Sequence, residues 1–500
     1  VVIRRTLAVA IAFSLLPAWA AETPAATAPA RNKVKLSQKA VAETVLKQGH
    51  KSQEANLTFL QQRFEMAKVF KDYDWSLEAE MGYEYDKLQQ FSPRTVIGSS
   101  YKRWITKTTL KKPFATTGTL FQLDYGRTSQ NSYYSTLASG DPLVPTGPTS
   151  LTQDLFTFTI EQKLLNNFFG YADRAKLRAA EETFKAQEVS RTDSLQTVVL
   201  DTIKAFWDAY VAKETFQEAL SSRDRYKRLV GQIKQKASYG YAKPGELSQV
   251  QAEYEGQEQA VKKASTDYLA KEENLVTLLN LEPGTEVEFA VDQAIPPVPK
   301  LTPVEVEKLR LMRAQQFRAN AARDQLSVSK SIAYPELNLV GKLYSSGYDE
   351  TASASLSAAT SGTHPKYYVG AKFVYSFGSN YQNEDILNKK VTHELEETTL
   401  ARQKLEQMNL LSQAERSVQS NYAIVQSAIA QNDFRAKAAQ ELTRTYGQGR
   451  TPIKELIDAI NNQFNTEVAL SRAIGDYQIA LNQWAAVRDE LIPDDREERK

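Results

Sequence analysis

Two spacings of apolar residues take turns along this chain. In residues 75–86, Trp75, Leu77, Ala79, Met81, Tyr83 and Tyr85 alternate with Ser76, Glu78, Glu80, Gly82, Glu84 and Asp86. A period of two predicts a strand with one dry and one wet face. The alternation returns in residues 155–165, where Phe156, Phe158 and Ile160 share a side, and in residues 367–378, where Val369, Ala371, Phe373, Tyr375 and Phe377 do. A further strand is expected from Glu336, just after Pro335. Residues 87–150 hold two more strand-like runs, "SSYKRWITKTTLKK" and "TGTLFQLDYGRTSQ", and a long loop, "SGDPLVPTGPTS", which leaves the strand count open. Period two alone fits a soluble sandwich and a membrane barrel equally well.

Elsewhere the spacing is three and four. Residues 170–239 and 380–446 contain no proline, and positions such as Leu195, Val199, Ile203, Phe206 and Tyr210 form one stripe among charged residues. Each segment predicts a helix of roughly 100 Å at 1.5 Å per residue. Such a stripe requires a neighbouring helix. The turns that supply it are "YGYAKPGELSQVQAEY", with Tyr239, Gly240 and Pro244, and "YGQGRTPIKELIDAINN", with Tyr446, Gly447, Gly449 and Pro452. Each predicts a hairpin tip followed by a new helix.

The whole plan occurs twice. "KLSQKAVAETVL" from Lys35 is matched by "KLTPVEVEKLRL" from Lys300, and each is expected to open a helix of thirty to forty residues that leads into a strand. Ser37 is the expected N-cap in the first copy; in the second, Thr302, Pro303 and Glu305 read as a capping box. The resulting division is a first repeat over 36–285, an irregular proline-rich linker over 286–300 and a second repeat over 301–492, followed by a charged tail over 493–500.

Before the first repeat, Arg4 and Arg5, the apolar run from Leu7 to Leu16 and Ala18-Trp19-Ala20 read as a secretory signal peptide over 1–20. Residues 21–35 read as a flexible tether. No uncharged run downstream is long enough for a membrane-spanning helix, so an exported chain of this kind is either soluble or a β-barrel. The sequence has no Cys, which removes disulfides, thiolate metal sites and an amino-terminal lipid anchor on Cys. Lys and Arg (62) nearly balance Asp and Glu (60), which argues against a nucleic-acid partner. Catalytic chemistry finds little support: His50, His364 and His393 have no ligand spacing, and the glycines of "YGQGRT" follow a helix rather than a strand. No enzyme activity, metal or cofactor is expected.

The tip pattern Gly240, Pro244, Glu246, Leu247, its counterpart "YGQGRTPIKELIDA", the strand-to-helix joint "IEQKLLNNFFGYADRAKLRAAE" and the repeat end "LVTLLNLEPG" resemble the TolC-like outer-membrane efflux protein family. The resemblance implies an α+β fold: a trimeric outer-membrane β-barrel continued by a long antiparallel α-helical periplasmic tunnel, with two structural repeats per chain. It also implies a homotrimer in outer-membrane lipid, acting as the passive exit duct of a tripartite efflux or type I secretion system with a periplasmic adaptor and an inner-membrane pump. Acidic residues matching Glu455 and Asp458 line the periplasmic entrance in that family, Glu246 occupies the equivalent position of the first repeat, and a Tyr matching Tyr446 belongs to the contacts that close it. The family's arginine in that network aligns with Thr451, and Arg450 is taken to stand in for it. Independently of the resemblance, Glu455 and Asp458 lie three apart and share a helix face, although acids near a helix start are also favoured by the macrodipole alone. The competing reading is a periplasmic coiled-coil adaptor or interaction protein, which would not need aromatic strands in duplicate.

Overall fold

The computed structural model describes residues 33–87, 100–133, 150–291, 294–300, 302–377 and 380–492. In chain order its elements are β1 (Lys33–Leu36), α1 (Gln38–Gln48), α2 (His50–Lys71), β2 (Ser76–Lys87), β3 (Ser100–Phe114), β4 (Thr119–Tyr133), β5 (Ser150–Lys163), α3 (Tyr171–Ser238), α4 (Glu246–Leu278) and β6 (Glu286–Phe289). They continue with α5 (Arg310–Ile332), β7 (Glu336–Asp349), α6 (Ala352–Ser361), β8 (Pro365–Val374), α7 (Tyr381–Gly447) and α8 (Ile453–Val487). The expected signal peptide, residues 21–32 of the tether, nearly all of the loop before β5 and the charged tail lie outside the described residues.

The two strand-like runs of 87–150 are β3 and β4, so the sheet has six strands in the order β2-β3-β4-β5-β7-β8, every neighbour antiparallel. Because directly paired residues share a face, the register sorts the side chains. One row across all six strands is Leu77, Leu110, Leu123, Phe158, Leu343 and Tyr367. The next row, on the other face, is Glu78, Thr109, Asp124, Thr157, Tyr344 and Lys366. The apolar face is exposed, whereas the polar face is knitted by cross-strand contacts: Arg103 with Glu84, Lys111 with Glu78 at 3.7 Å, and Asn338 donating to Glu161 at 2.6 Å. Exposed aromatic residues edge the sheet at both ends, Trp75, Phe168, Phe169, Tyr334 and Phe377 where strands meet helices and Tyr83, Tyr85, Trp104, Tyr133 and Tyr348 toward the other end. There α6 lies over the apolar face, seated on Gly347, with Ser355 accepting from the Asp154 amide at 3.1 Å.

The joint between β5 and α3 is tightly wound. Asn167, Phe169 and Gly170 all have positive φ, and the Asn167 side chain caps the helix by accepting from the Asp173 amide at 3.0 Å. Gly170 faces Gly118 in the β3–β4 turn so closely that a Cβ at either position would sit under 3 Å from the other's backbone. Arg174 ties the same turn down by donating to the carbonyls of Thr116 and Phe169.

Below the sheet the helices stand in a row. In the half nearer the strands the order is α2, α3, α5, α7, joined by Phe59 against Phe184, Arg178 with Asp324, and Gln315 with Glu396. In the far half it is α4, α3, α8, α7, joined by Arg223 with Glu258, Arg225 with Glu467, and Thr466 with Asn432. Of the expected stripe, Val199, Ile203 and Phe206 are fully buried, packed with Leu275 and Leu279 of the α4 end and Val41 and Val45 of α1. By contrast, α7 leaves Leu387, Val391, Leu395, Leu405, Ile424 and Phe434 exposed in the single chain.

Three expectations need correction. Thr302, Pro303 and Glu305 do not open a helix: α5 starts at Arg310, after a 3-10 turn at Val306–Lys308. Arg488 takes the Thr302 carbonyl and hydroxyl at 2.7 and 2.6 Å, while the Asp489 carboxylate accepts from the Arg310 amide at 2.6 Å, so the cap comes from the far end of the chain. The helices before the strands are also shorter than thirty residues, since α5 has 23 and Gly49 divides the first into α1 and α2. Ser37 does cap α1, accepting from the Ala40 amide at 3.2 Å. Finally, the end of the tether and the start of the linker are not irregular. They pair as the parallel strands β1 and β6, because Leu36 and Val287 are buried in the cluster around Phe206.

Candidate functional site

The ends of the two long hairpins form one cluster. Tyr226, Leu229 and Ile233 of α3, Val250 of α4, Tyr446 of α7 and Leu456, Ile457 and Ile460 of α8 pack together. Tyr226 donates to Asn461 at 2.9 Å and to the Ile457 carbonyl at 3.3 Å, which fixes α8 against α3. The tips are built by left-handed turns: Gly240 and Gly245 in the first and Gly449 in the second have positive φ, with open space where a Cβ would stand. Tyr239 caps the end of α3, Pro244 is exposed one residue before the α4 cap, Gly447 ends α7 and Pro452 precedes α8.

Glu246 is the first residue of α4, where its carboxylate accepts from the Lys243 amide at 3.2 Å and meets the partial positive charge of the helix start. It lies close enough to Tyr446 for its charge to add to burial, the larger cause, in pushing the phenol up. Tyr446 is itself buried, and its hydroxyl has no hydrogen-bond partner among the described residues. Glu455 and Asp458 are exposed on the first turns of α8. Arg450 is exposed too, and its side chain makes no hydrogen bond or ion pair with the described residues. The fold thus brings Glu246 to Tyr446 and leaves Glu455, Asp458 and Arg450 on the surface of the chain.

Lys236 was not among the residues singled out from sequence. Its ammonium stands 4.0 Å above the Tyr446 ring and donates to the Tyr446 carbonyl at 3.2 Å, joining the first hairpin to the second. Its place in the last turn of α3, where a cation is favoured, was the available signal. No three His, Asp or Glu side chains stand together as metal ligands among the described residues.

Farther from the tips, Glu218 of α3 hydrogen-bonds Glu467 of α8, which also pairs with Arg225 at 2.7 Å. Burial first, and the Glu467 charge second, push the Glu218 carboxyl up to about 7. The folded chain therefore holds a proton there that the unfolded chain has released by neutral pH. This group's contribution is fully present below its ordinary value of 4.5 and is lost as pH rises toward 7. Glu218→Gln is expected to raise the unfolding temperature at pH 8 and to leave it nearly unchanged at pH 4. A thermal melt series across that range checks this, and equal shifts at both ends would rule out the shared proton.

An antiparallel sheet with one apolar, aromatic-edged face, continued by a row of helices some 100 Å long, makes this a mixed α+β fold. Residues 121–281 match the family profile Outer membrane efflux protein. No curated protein matches the sequence. The fold resembles that of the Campylobacter jejuni CmeC outer membrane channel, with a TM-score of 0.69 and 13% identity over 92% of this chain and 88% of that one. The Vibrio cholerae outer membrane protein VceC gives 0.64 and 12% over 91% and 97%. The open state of the Neisseria gonorrhoeae MtrE outer membrane channel gives 0.64 and 12% over 91% and 90%. At such identities the likeness is one of fold.

Proposed function

We propose that this protein is the outer-membrane exit duct of a tripartite efflux or type I secretion system: three copies share one barrel, and their helices form a periplasmic tunnel that an adaptor and an inner-membrane pump open at the tip. The observation that carries this reading is the six-residue row from Leu77 to Tyr367, apolar across the whole sheet and exposed in every strand but β3, where Leu110 is half-buried, backed by the ion-paired polar face. Strands of 10 to 15 residues meet or exceed the roughly 9 to 11 that a tilted strand needs to cross a bilayer. Lipid on one face and water on the other satisfy both rows, and the aromatic edges fit the two interfaces. In this reading residues 36–285 and 301–492 are two copies of one plan. The chain should fractionate with outer membranes as a heat-modifiable trimer; recovery as a soluble periplasmic monomer would refute the duct.

At the entrance, threefold symmetry turns each tip acid into a ring. Glu246, Glu455 and Asp458 then concentrate cations between low-dielectric walls; Tyr446 contributes to closure by joining the two hairpins within each chain, and the exposed Arg450 by contacts across the chain boundary. In a planar bilayer the purified protein is expected to pass small, cation-preferring currents that multivalent cations block from the tip side. Glu455→Ala combined with Asp458→Ala should lower both the preference and the block severalfold without loss of the trimer. Unaltered selectivity in that variant would mean that these acids serve only the start of α8.

A further inference from the structure

Within one chain the sheet ends in two open edges, β2 and β8, and the β3–β4 hairpin stands between β2 and β5 as an ordinary part of the wall. We infer that three copies close a wall of eighteen strands, six from each chain, in which β2 of one chain pairs with β8 of the next and the β3–β4 hairpin stays in the wall. The inference rests on the trimeric duct proposed above. Within a bilayer an open edge has no water to satisfy it and needs another strand, and three properties of these two edges fit them to each other. An even number of strands keeps every neighbour antiparallel on closure, since β2 leads away from the helices and β8 leads back to them. The apolar faces run on without a step, Leu77, Ala79 and Met81 at one edge and Tyr367, Val369 and Phe373 at the other. The polar faces are complementary in charge, with Glu78, Glu80, Glu84 and Asp86 on β2 and Lys366 and Lys372 on β8.

Girth supplies a separate argument. The row α2, α3, α5, α7 from three chains makes a ring of twelve helices, which at about 8–10 Å between axes has a circumference of about 100–120 Å. Strands about 4.8 Å apart and tilted by about 40° each occupy about 6.3 Å of circumference, so eighteen give about 110 Å and twelve only about 75 Å. With the β3–β4 hairpin included, the wall therefore matches the width of the tunnel at ordinary strand tilt. It is also seated on that tunnel: Gly118 packs on Gly170 at the start of α3, Arg174 holds the turn, and Lys112 donates to the Tyr73 carbonyl at 2.8 Å at the end of α2.

The chain has no Cys, so cross-linking carries no background. Met81→Cys with Thr106→Cys spans β2 and β3; Ser129→Cys with Thr152→Cys spans β4 and β5. Both join directly opposed residues, which are within disulfide reach. In trimers purified from outer membranes each pair is expected to oxidise within the chain to near completion, and electron cryomicroscopy of the unaltered trimer should count eighteen strands. Absence of both cross-links from an intact trimer, or a twelve-stranded wall with the hairpin outside it, would overturn this inference and leave the duct standing. A soluble monomer would overturn both.

Discussion

Phe158→Asp and Phe373→Asp are each expected to reduce the membrane-inserted trimer at least tenfold. Phe158 lies in the row that is apolar across all six strands, opposite Leu123 and Leu343, and Phe373 lies opposite Leu337 on the same face near the β8 edge. Both are exposed in the single chain, so an aspartate would break little internal packing; its cost arises in the proposed lipid environment. A charge on the lipid face of a barrel strand costs up to about 2–4 kcal/mol near the midplane, somewhat less for Asp than for Lys or Arg, and a trimer carries it three times. Thr128→Asp is the control, because Thr128 belongs to the polar face between Ile105 and Gln153, and its trimer yield should stay near that of the unaltered protein. The yield of heat-modifiable trimer in outer-membrane fractions decides. Equal loss in all three would mean that the sheet does not tell lipid from water.

Gly170→Ala should be nearly as damaging, by a different route. Gly170 has φ +73°, where an alanine costs about 1–2 kcal/mol. Its Cβ would also lie 2.3 Å from the Ala115 carbonyl oxygen and 2.6 Å from the Gly118 nitrogen, both backbone atoms that move only if the β3–β4 turn is displaced. Gly240 at the first tip separates the two causes, since its φ is +78° but open space surrounds it. Gly240→Ala should therefore lower the temperature of trimer dissociation by the conformational term alone, while Gly170→Ala should lower it much further or prevent assembly. Matching shifts would mean that the turn yields easily, and the seat of the hairpin on α3 would lose its importance.

Residue spacing carried much of this fold because its long elements are governed by neighbours on one face. The helix expected over 170–239 runs from Tyr171 to Ser238, and the one over 380–446 from Tyr381 to Gly447, ended by glycine turns that a reader can see. Contacts between distant stretches were not legible. Asp489 caps α5 from nearly 180 residues away, and the four residues of β6 become a strand only because β1 lies beside them. At the tips, the turn residues and first acids stood out in the sequence. Lys236 did not, because its meaning depends on Tyr446, a residue of the other hairpin.

The exposed row on α7 bears on how such a protein can be made. Leu387, Val391, Leu395, Leu405, Ile424 and Phe434 are spread along most of a 67-residue helix whose buried residues are only Val418, Val425, Ala439 and Tyr446. In the proposed trimer another copy covers this surface, and a lone chain would hold it in water until then, so its stability would depend on encounter with others and rise with concentration. Apolar surface left open during that wait favours aggregation. Supply and assembly are then coupled: slow production of chains lengthens the solitary stage, and whatever shields α7 during transit governs how much duct is finally built.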